Sequence, residues 1–455
     1  MVLGLKDVSS RVLDARYAVR GPIVRRAQEL QKRGKEIIWC NIGNPQALKQ
    51  EPLTYIRQIL SLVEYPDLLN NKHVDEIFPR DVIEKARFII AHSKHGLGAY
   101  TVSQGFEFVR DAVSKFITKR DDITARAEDI YLTDGASQGA QFVLSMLIAN
   151  PNDGVMIPIP QYPLYSALIS LLGGKQVNYF LDEDNDWRLS QASLEQSIRD
   201  AKQKGINTKA IVVINPGNPT GAVLDHENIE MIIEFAREHN LSIIADEVYQ
   251  ENIYDNEKKF ISFAKVMCEL DVRDVSLFSL HSASKGYLGE CGQRAGYLEV
   301  RNIPTNVNNE LLKLRSIGLC SNATGQIILY LMVNPPKRGD ESYELFTKEK
   351  SGILNSLKRK AHLLSKGLNS VDGIECKTPS GAMYVFPRID LPDKKTDSDY
   401  CLSLLESTGV CVVPGSGFGQ LPGTWHFRAT FLPPEDQIKQ VVEKIEDFHT
   451  KYTNV

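Results

Sequence analysis

From residue 129 onward the apolar positions fall into short continuous runs at 130–132, 154–158, 210–215, 241–245 and 275–280. Runs of that length read as buried strands, and the segments 138–148 and 225–239 between them read as helices. Strand alternating with helix predicts a mainly parallel sheet with helices on both faces, a three-layer α/β fold. Further on, long helices are expected at 303–318, 322–333 and 341–369, with Asn334, Pro335 and Pro336 breaking the second. Short strands at 373–377, 382–386 and 410–413 and a last helix at 435–452 follow, and 424–431 alternates like a strand. Ahead of the sheet come a helix ending near Gly34, a strand at 36–40, a polar and mostly helical stretch from 51 to 95, and an amphipathic helix at 106–119. A chain of 455 residues exceeds one core, since single cores stop growing at roughly 250 to 300 residues. The expected division is an N-terminal arm (1–65) packing with a smaller C-terminal α/β domain (334–455), and a large domain (66–333).

Composition narrows the function classes. A formal net charge of -4 offers no basic surface for nucleic acid, and no apolar run is long enough to cross a membrane. Seven cysteines without a CxxC pair, in odd number, give neither a metal site nor a disulfide framework, and point to a reducing compartment. His73, His92 and His95 lack metal-ligand spacing. The first 26 residues carry arginines, but Asp7 and Asp14 interrupt them and no apolar signal core is present, so the cytoplasm is the expected location.

The chemistry gathers where strands end. After 275–280 the chain turns abruptly to Ser282, Ser284, Lys285 and Arg294. A lysine directly behind a buried strand is positioned to attack a carbonyl, and two hydroxyls with a planar cation suit a phosphate, which together fit a lysine Schiff base to pyridoxal phosphate. Gly135, Ala136 and Ser137 open a helix, where free backbone N–H groups and the positive dipole end favour a phosphate. Tyr162 stands between prolines at a strand end, as a packing aromatic or as a ring lying flat on the cofactor. Asn218, in a proline- and glycine-rich turn, can donate to the cofactor's phenolic oxygen, as can Tyr249. Asp246 can pair with the pyridine nitrogen and keep it protonated. Gly43 is a turn glycine or a point of close approach for a ligand carboxylate. Arg428, in an aromatic setting, is an ion-pair partner or a bidentate carboxylate clamp. Tyr100, read from its surroundings alone, is a core tyrosine.

The order PGNPTG, ADEVY, SASK, with HSASKGYLGECGQRAGY, PIPQYPLYSA, NIGNPQAL and HFRATFLPP, resembles the fold-type I pyridoxal-phosphate enzymes, and within them the alanine aminotransferases, over nearly the whole chain. The resemblance implies a homodimer in which a tyrosine at position 100 reaches the neighbour's cofactor phosphate. It also implies that Gly43 lines the substrate site, that Tyr162 stacks on the cofactor, and that Arg428 holds the substrate α-carboxylate. Lys285 becomes the Schiff-base lysine and the proton carrier. The implied reaction exchanges the amino group between L-alanine and 2-oxoglutarate, ping-pong through pyridoxamine phosphate. A glutamate:glyoxylate or broad aminotransferase shares these motifs, and a pyridoxal-phosphate lyase shares the cofactor shell. A regulator built on the same fold needs a DNA-binding domain, against which the short arm and acidic balance argue.

Overall fold

In the computed structural model, which describes residues 3–17 and 21–453, strand β1 (Ile38–Trp39) precedes the seven strands of the main sheet. These are β2 (Ile130–Thr133), β3 (Asp153–Ile159), β4 (Lys175–Phe180), β5 (Asn207–Ile214), β6 (Ser242–Asp246), β7 (Leu277–Ser282) and β8 (Gly296–Arg301), in spatial order β2-β8-β7-β6-β5-β3-β4. The pairs from β7 through β4 are parallel, and β8 runs antiparallel to both β2 and β7. The mainly parallel sheet expected from the sequence is therefore present, with one reversed strand.

Period-two alternation sorts the strand residues between two cores. Met156, Ile211, Val213, Ile243, Ala245 and Leu277 pack on one face with the helices His226–Glu238 and Phe263–Glu269. Val155, Ile157, Ala210, Val212, Ile244 and Phe278 pack on the other with the helices Ala136–Leu147 and Leu164–Leu172. Each fully buried Val or Ile contributes about 1.5 to 3 kcal/mol relative to exposure. The helices start where a side chain can take the first free N–H: Asp225 accepts from Asn228 N at 2.9 Å, a cap worth about 1 kcal/mol.

The C-terminal segment holds β9 (Ile374–Glu375), β10 (Tyr384–Val385), β11 (Arg388–Ile389), β12 (Val410–Cys411), β13 (Val413–Pro414) and β14 (Phe427–Thr430). The run expected as one strand at 410–413 divides, because β12 pairs in parallel with β1 while β13 pairs with β14. The strand expected at 424–431 is present as β14, which lies between β10 and β13, and all four of its residues are buried. The chain's first strand is thus paired with its C-terminal part. No helix among the described residues is long and apolar enough to cross a membrane.

Candidate active site

In a parallel α/β sheet the carboxyl ends of the strands share one edge, and chemistry collects there. Asp246 ends β6, Ser282 ends β7, and Lys285 follows three residues later. Asn218 follows β5, Tyr162 follows β3, and Gly135 follows β2. β14 brings Arg428 to the same edge, where Nη1 donates to Asn218 Oδ1 at 3.0 Å and Nη2 to Asn41 O at 2.5 Å.

Around Lys285 the contacts are close. Nζ donates to Gly43 O at 2.9 Å and lies 5.7 Å from the ring centre of Tyr249. Gly43 is glycine for space: a Cβ there would stand 2.1 Å from Tyr384 Oη and 3.2 Å from Lys285 Nζ. Tyr249 Oη donates to Tyr384 Oη at 3.4 Å, and Arg428 lies 4.1 Å from the Tyr384 ring centre and 4.6 Å from that of Phe418. Burial alone would push the Tyr384 hydroxyl up, but Lys285 and Arg428 outweigh it and hold it below the ordinary tyrosine value. Burial, reinforced by Tyr384, pushes Tyr249 well above that value. Each terminal nitrogen of Arg428 uses one of its two hydrogens in these bonds, and Nε has no partner. The fully buried guanidinium therefore retains donors for a planar anion.

Asp246 is buried with its two oxygens unequally supplied. Oδ2 accepts from Tyr165 Oη at 2.8 Å, whereas Oδ1 has no partner among the described residues. Burial raises its pKa to about 6, against the opposing pull of the Tyr165 bond, the Val248 N–H and Lys285. A buried carboxylate oxygen without a donor is costly, and a ring N–H is the group that satisfies it. On the far side of the cleft, Arg294 donates to Asp134 O at 2.8 Å, to Cys291 O at 2.9 Å and to Ser137 Oγ at 3.2 Å. This lays the guanidinium across the first turn of the helix Ala136–Leu147. Gly135 has φ +77°, and a Cβ there would stand 2.3 Å from Arg294 Nη2. Ser282 Oγ accepts from Ser284 N at 3.0 Å and donates to Ala295 O at 3.1 Å, holding both hydroxyl residues beside this turn. Cation, hydroxyls and helix N-terminus together suit a phosphate. The donor set and the orphaned Asp246 oxygen fit pyridoxal phosphate.

Of the site residues expected from sequence, Gly43, Gly135, Ala136, Ser137, Tyr162, Asn218, Asp246, Tyr249, Ser282, Lys285, Arg294 and Arg428 are brought to this edge. Tyr100 is not: it is 78% exposed, so the reading as a core tyrosine is corrected. Sequence reasoning missed Tyr165, which holds Asp246, and Tyr384, which lies between Lys285 and Arg428. It also missed Tyr17, whose hydroxyl lies 2.6 Å from that of Tyr162. Tyr384 had a signal in the predicted strand 382–386; the other two had none.

Residues 65–445 match the model of the family described as aminotransferase class I and II. A Dictyostelium discoideum protein named probable mitochondrial alanine aminotransferase is 49% identical, covering 99% of this chain and 89% of that one. Glutamate–glyoxylate aminotransferase 1 of Arabidopsis thaliana is 47% identical over 99% of this chain and 98% of that one. Among solved structures, the alanine aminotransferase of Pyrococcus furiosus superposes with a TM-score of 0.80 at 28% identity, covering 98% of this chain and 100% of that one.

Proposed function

Because the chain belongs to the class I and II aminotransferases, a pyridoxal-phosphate-dependent family, we propose that it exchanges the amino group between L-alanine and 2-oxoglutarate, giving pyruvate and L-glutamate. The observation that carries the substrate choice is the 49% identity, over 99% of the chain, with a protein named an alanine aminotransferase. When bound, pyridoxal phosphate supplies an aldehyde that condenses with amines and a pyridinium ring that accepts electrons released at Cα. In this reading Gly135, Ala136, Ser137, Ser282, Ser284 and Arg294 hold its phosphate. Asp246 accepts the ring N–H through Oδ1, with Tyr165 fixing the carboxylate. Asn218 and Tyr249 donate to the phenolic oxygen, and Tyr162 lies against the ring. Arg428 grips the α-carboxylate with the hydrogens its bonds to Asn218 and Asn41 leave over, which aligns the Cα–H bond. Lys285, held by Gly43 O and facing Tyr384, carries the proton at Cα.

The reading includes a homodimer in which Tyr100 serves the neighbouring copy. It is supported by Tyr100, Val102, Ile317 and Leu319, all more than half exposed although apolar. We place the protein in the cytoplasm; enrichment with mitochondria on cell fractionation would reject that.

Adding L-alanine to the purified yellow holoenzyme is expected to shift its visible absorbance to shorter wavelength, and 2-oxoglutarate to restore it. Turnover, without need of any keto acid, of an amino acid that carries a sulfur leaving group would replace the aminotransferase reading by a lyase. The 47% identity to a glutamate–glyoxylate aminotransferase favours a second reading, with glyoxylate as acceptor. A kcat/KM for glyoxylate above that for 2-oxoglutarate decides for it.

A further inference from the structure

Two residues before Arg428, on the same strand face by period-two spacing, His426 is buried at 2% exposure. Its Nε2 lies 3.1 Å from both carboxylate oxygens of Glu183, in the turn that follows β4 of the main sheet. Its Nδ1 lies 3.0 Å from Gln420 Oε1. Gln420 gives its own N–H to Asp397 Oδ2 at 3.1 Å, an oxygen that also accepts Ser416 N. That bond fixes the amide, so an oxygen faces the imidazole. Both ring nitrogens therefore have polar partners.

The imidazole is also stacked. It lies 4.8 Å from the Phe386 ring at 4°, and Phe386 meets Phe418 edge-on at 5.9 Å. Phe418 in turn lies 4.6 Å from the Arg428 guanidinium. Trp187, from the same turn as Glu183, meets both His426 and Phe386 edge-on. His426 is thereby a junction between the sheet that carries Lys285 and the strand that carries Arg428.

We propose that His426 and Glu183 are positioning residues for substrate binding: their hydrogen-bonded contact ties β14 to the turn after β4 and fixes the height of Arg428 above the edge of the main sheet. The proposal rests on the reading of Arg428 as the α-carboxylate clamp. Neither residue touches the reacting atoms. Losing the tie lets the guanidinium wander, which weakens every ligand carrying an α-carboxylate and leaves the cofactor shell alone.

The test is steady-state kinetics of the holoenzyme with L-alanine and 2-oxoglutarate varied in turn, for the parent, Glu183→Gln, His426→Gln, their double variant and Arg428→Lys. Each of the two single changes at the tie is expected to raise KM for both substrates by about tenfold and lower kcat by less than about threefold. The double variant should be no worse than the worse single, because both act through one contact. Cofactor absorbance should not move. Glu183→Gln, isosteric and partly exposed, keeps the test open should His426→Gln fail to fold. Parent KM values in Glu183→Gln overturn the proposal, as do additive effects in the double or a lower melting temperature without a KM change. Arg428→Lys separates the two levels: if it raises both KM values while Glu183→Gln does not, only the positioning role fails. If it leaves both unchanged, the clamp reading fails and this proposal with it.

Discussion

Asp246 shows how far one oxygen atom determines a site. In the cofactor-free protein burial lifts its pKa to about 6 from the ordinary aspartate value of 3.8. For a carboxyl raised on folding, the associated stability is fully present below the unfolded value and is lost as pH rises through about 6, at most about 3 kcal/mol in all. Asp246→Asn removes that dependence. Melting temperatures of the cofactor-free proteins are therefore expected to show the parent losing ground to the variant between about pH 4 and 7. Glu247, which burial lifts to about 7, drifts in the same direction but is common to both proteins. Once a cationic ring donates to Oδ1, the two proteins should lose this difference; a gap that persists in the loaded proteins would speak against the pairing. Asp246 and Lys285 were legible in the sequence because each stands just past the end of an apolar run, and Arg294 because it lies in the same stretch of small and polar residues as Lys285. Tyr165 was not, since its only chemical context is a carboxylate 81 positions away, and no local pattern records such a partner.

At the scale of elements, the turn between β2 and the helix Ala136–Leu147 makes the sharpest prediction. Gly135→Ala places a methyl group against Arg294 and forces a side chain onto φ +77°. One or two charge-assisted bonds to the phosphate are expected to go, weakening the cofactor about 10 to 100-fold. Equilibrium dialysis with pyridoxal phosphate checks this, and an unchanged affinity would remove Arg294 and Gly135 from the phosphate site. The central strands were readable from sequence because burial on both faces leaves an unbroken apolar run. β4 and β8 were not predicted: β4 lies at the sheet edge and mixes exposed with buried positions from Lys175 to Phe180, and in β8 Glu299 interrupts the apolar run. The two-residue strands near the C-terminus were only approximately placed, because pairings so short are chosen by tertiary contacts more than by pattern.

For the molecule as a whole, the exposed Tyr100 gives a test that no single-chain role would pass. Lys285→Ala and Tyr100→Phe variants, each inactive or impaired at limiting cofactor, are expected to recover activity when unfolded together and refolded as a mixture. One site of the mixed dimer then combines an intact lysine with a tyrosine from the other copy. Activity no greater than the sum of the separate variants would assign Tyr100 to its own subunit or to none. Only the family resemblance suggested this role, since the residues around position 100 read the same for a tyrosine in a core, on a surface or across an interface.

The bond from Arg428 to the carbonyl of Asn41 joins residues 387 positions apart, and the pairing of β1 with β12 has a similar span. A ribosome adding about 5 to 20 residues per second takes about 20 to 80 seconds to cover that distance. Through this interval the emerging β1 has no β12 to pair with, while the strands from β2 to β8 are all made by residue 301. The main sheet is therefore free to form during translation, whereas the carboxylate grip proposed for Arg428 would become complete only when synthesis is almost over. Between the completion of β8 at residue 301 and the arrival of Arg428, the nascent chain would hold the proposed cofactor platform without the proposed substrate grip.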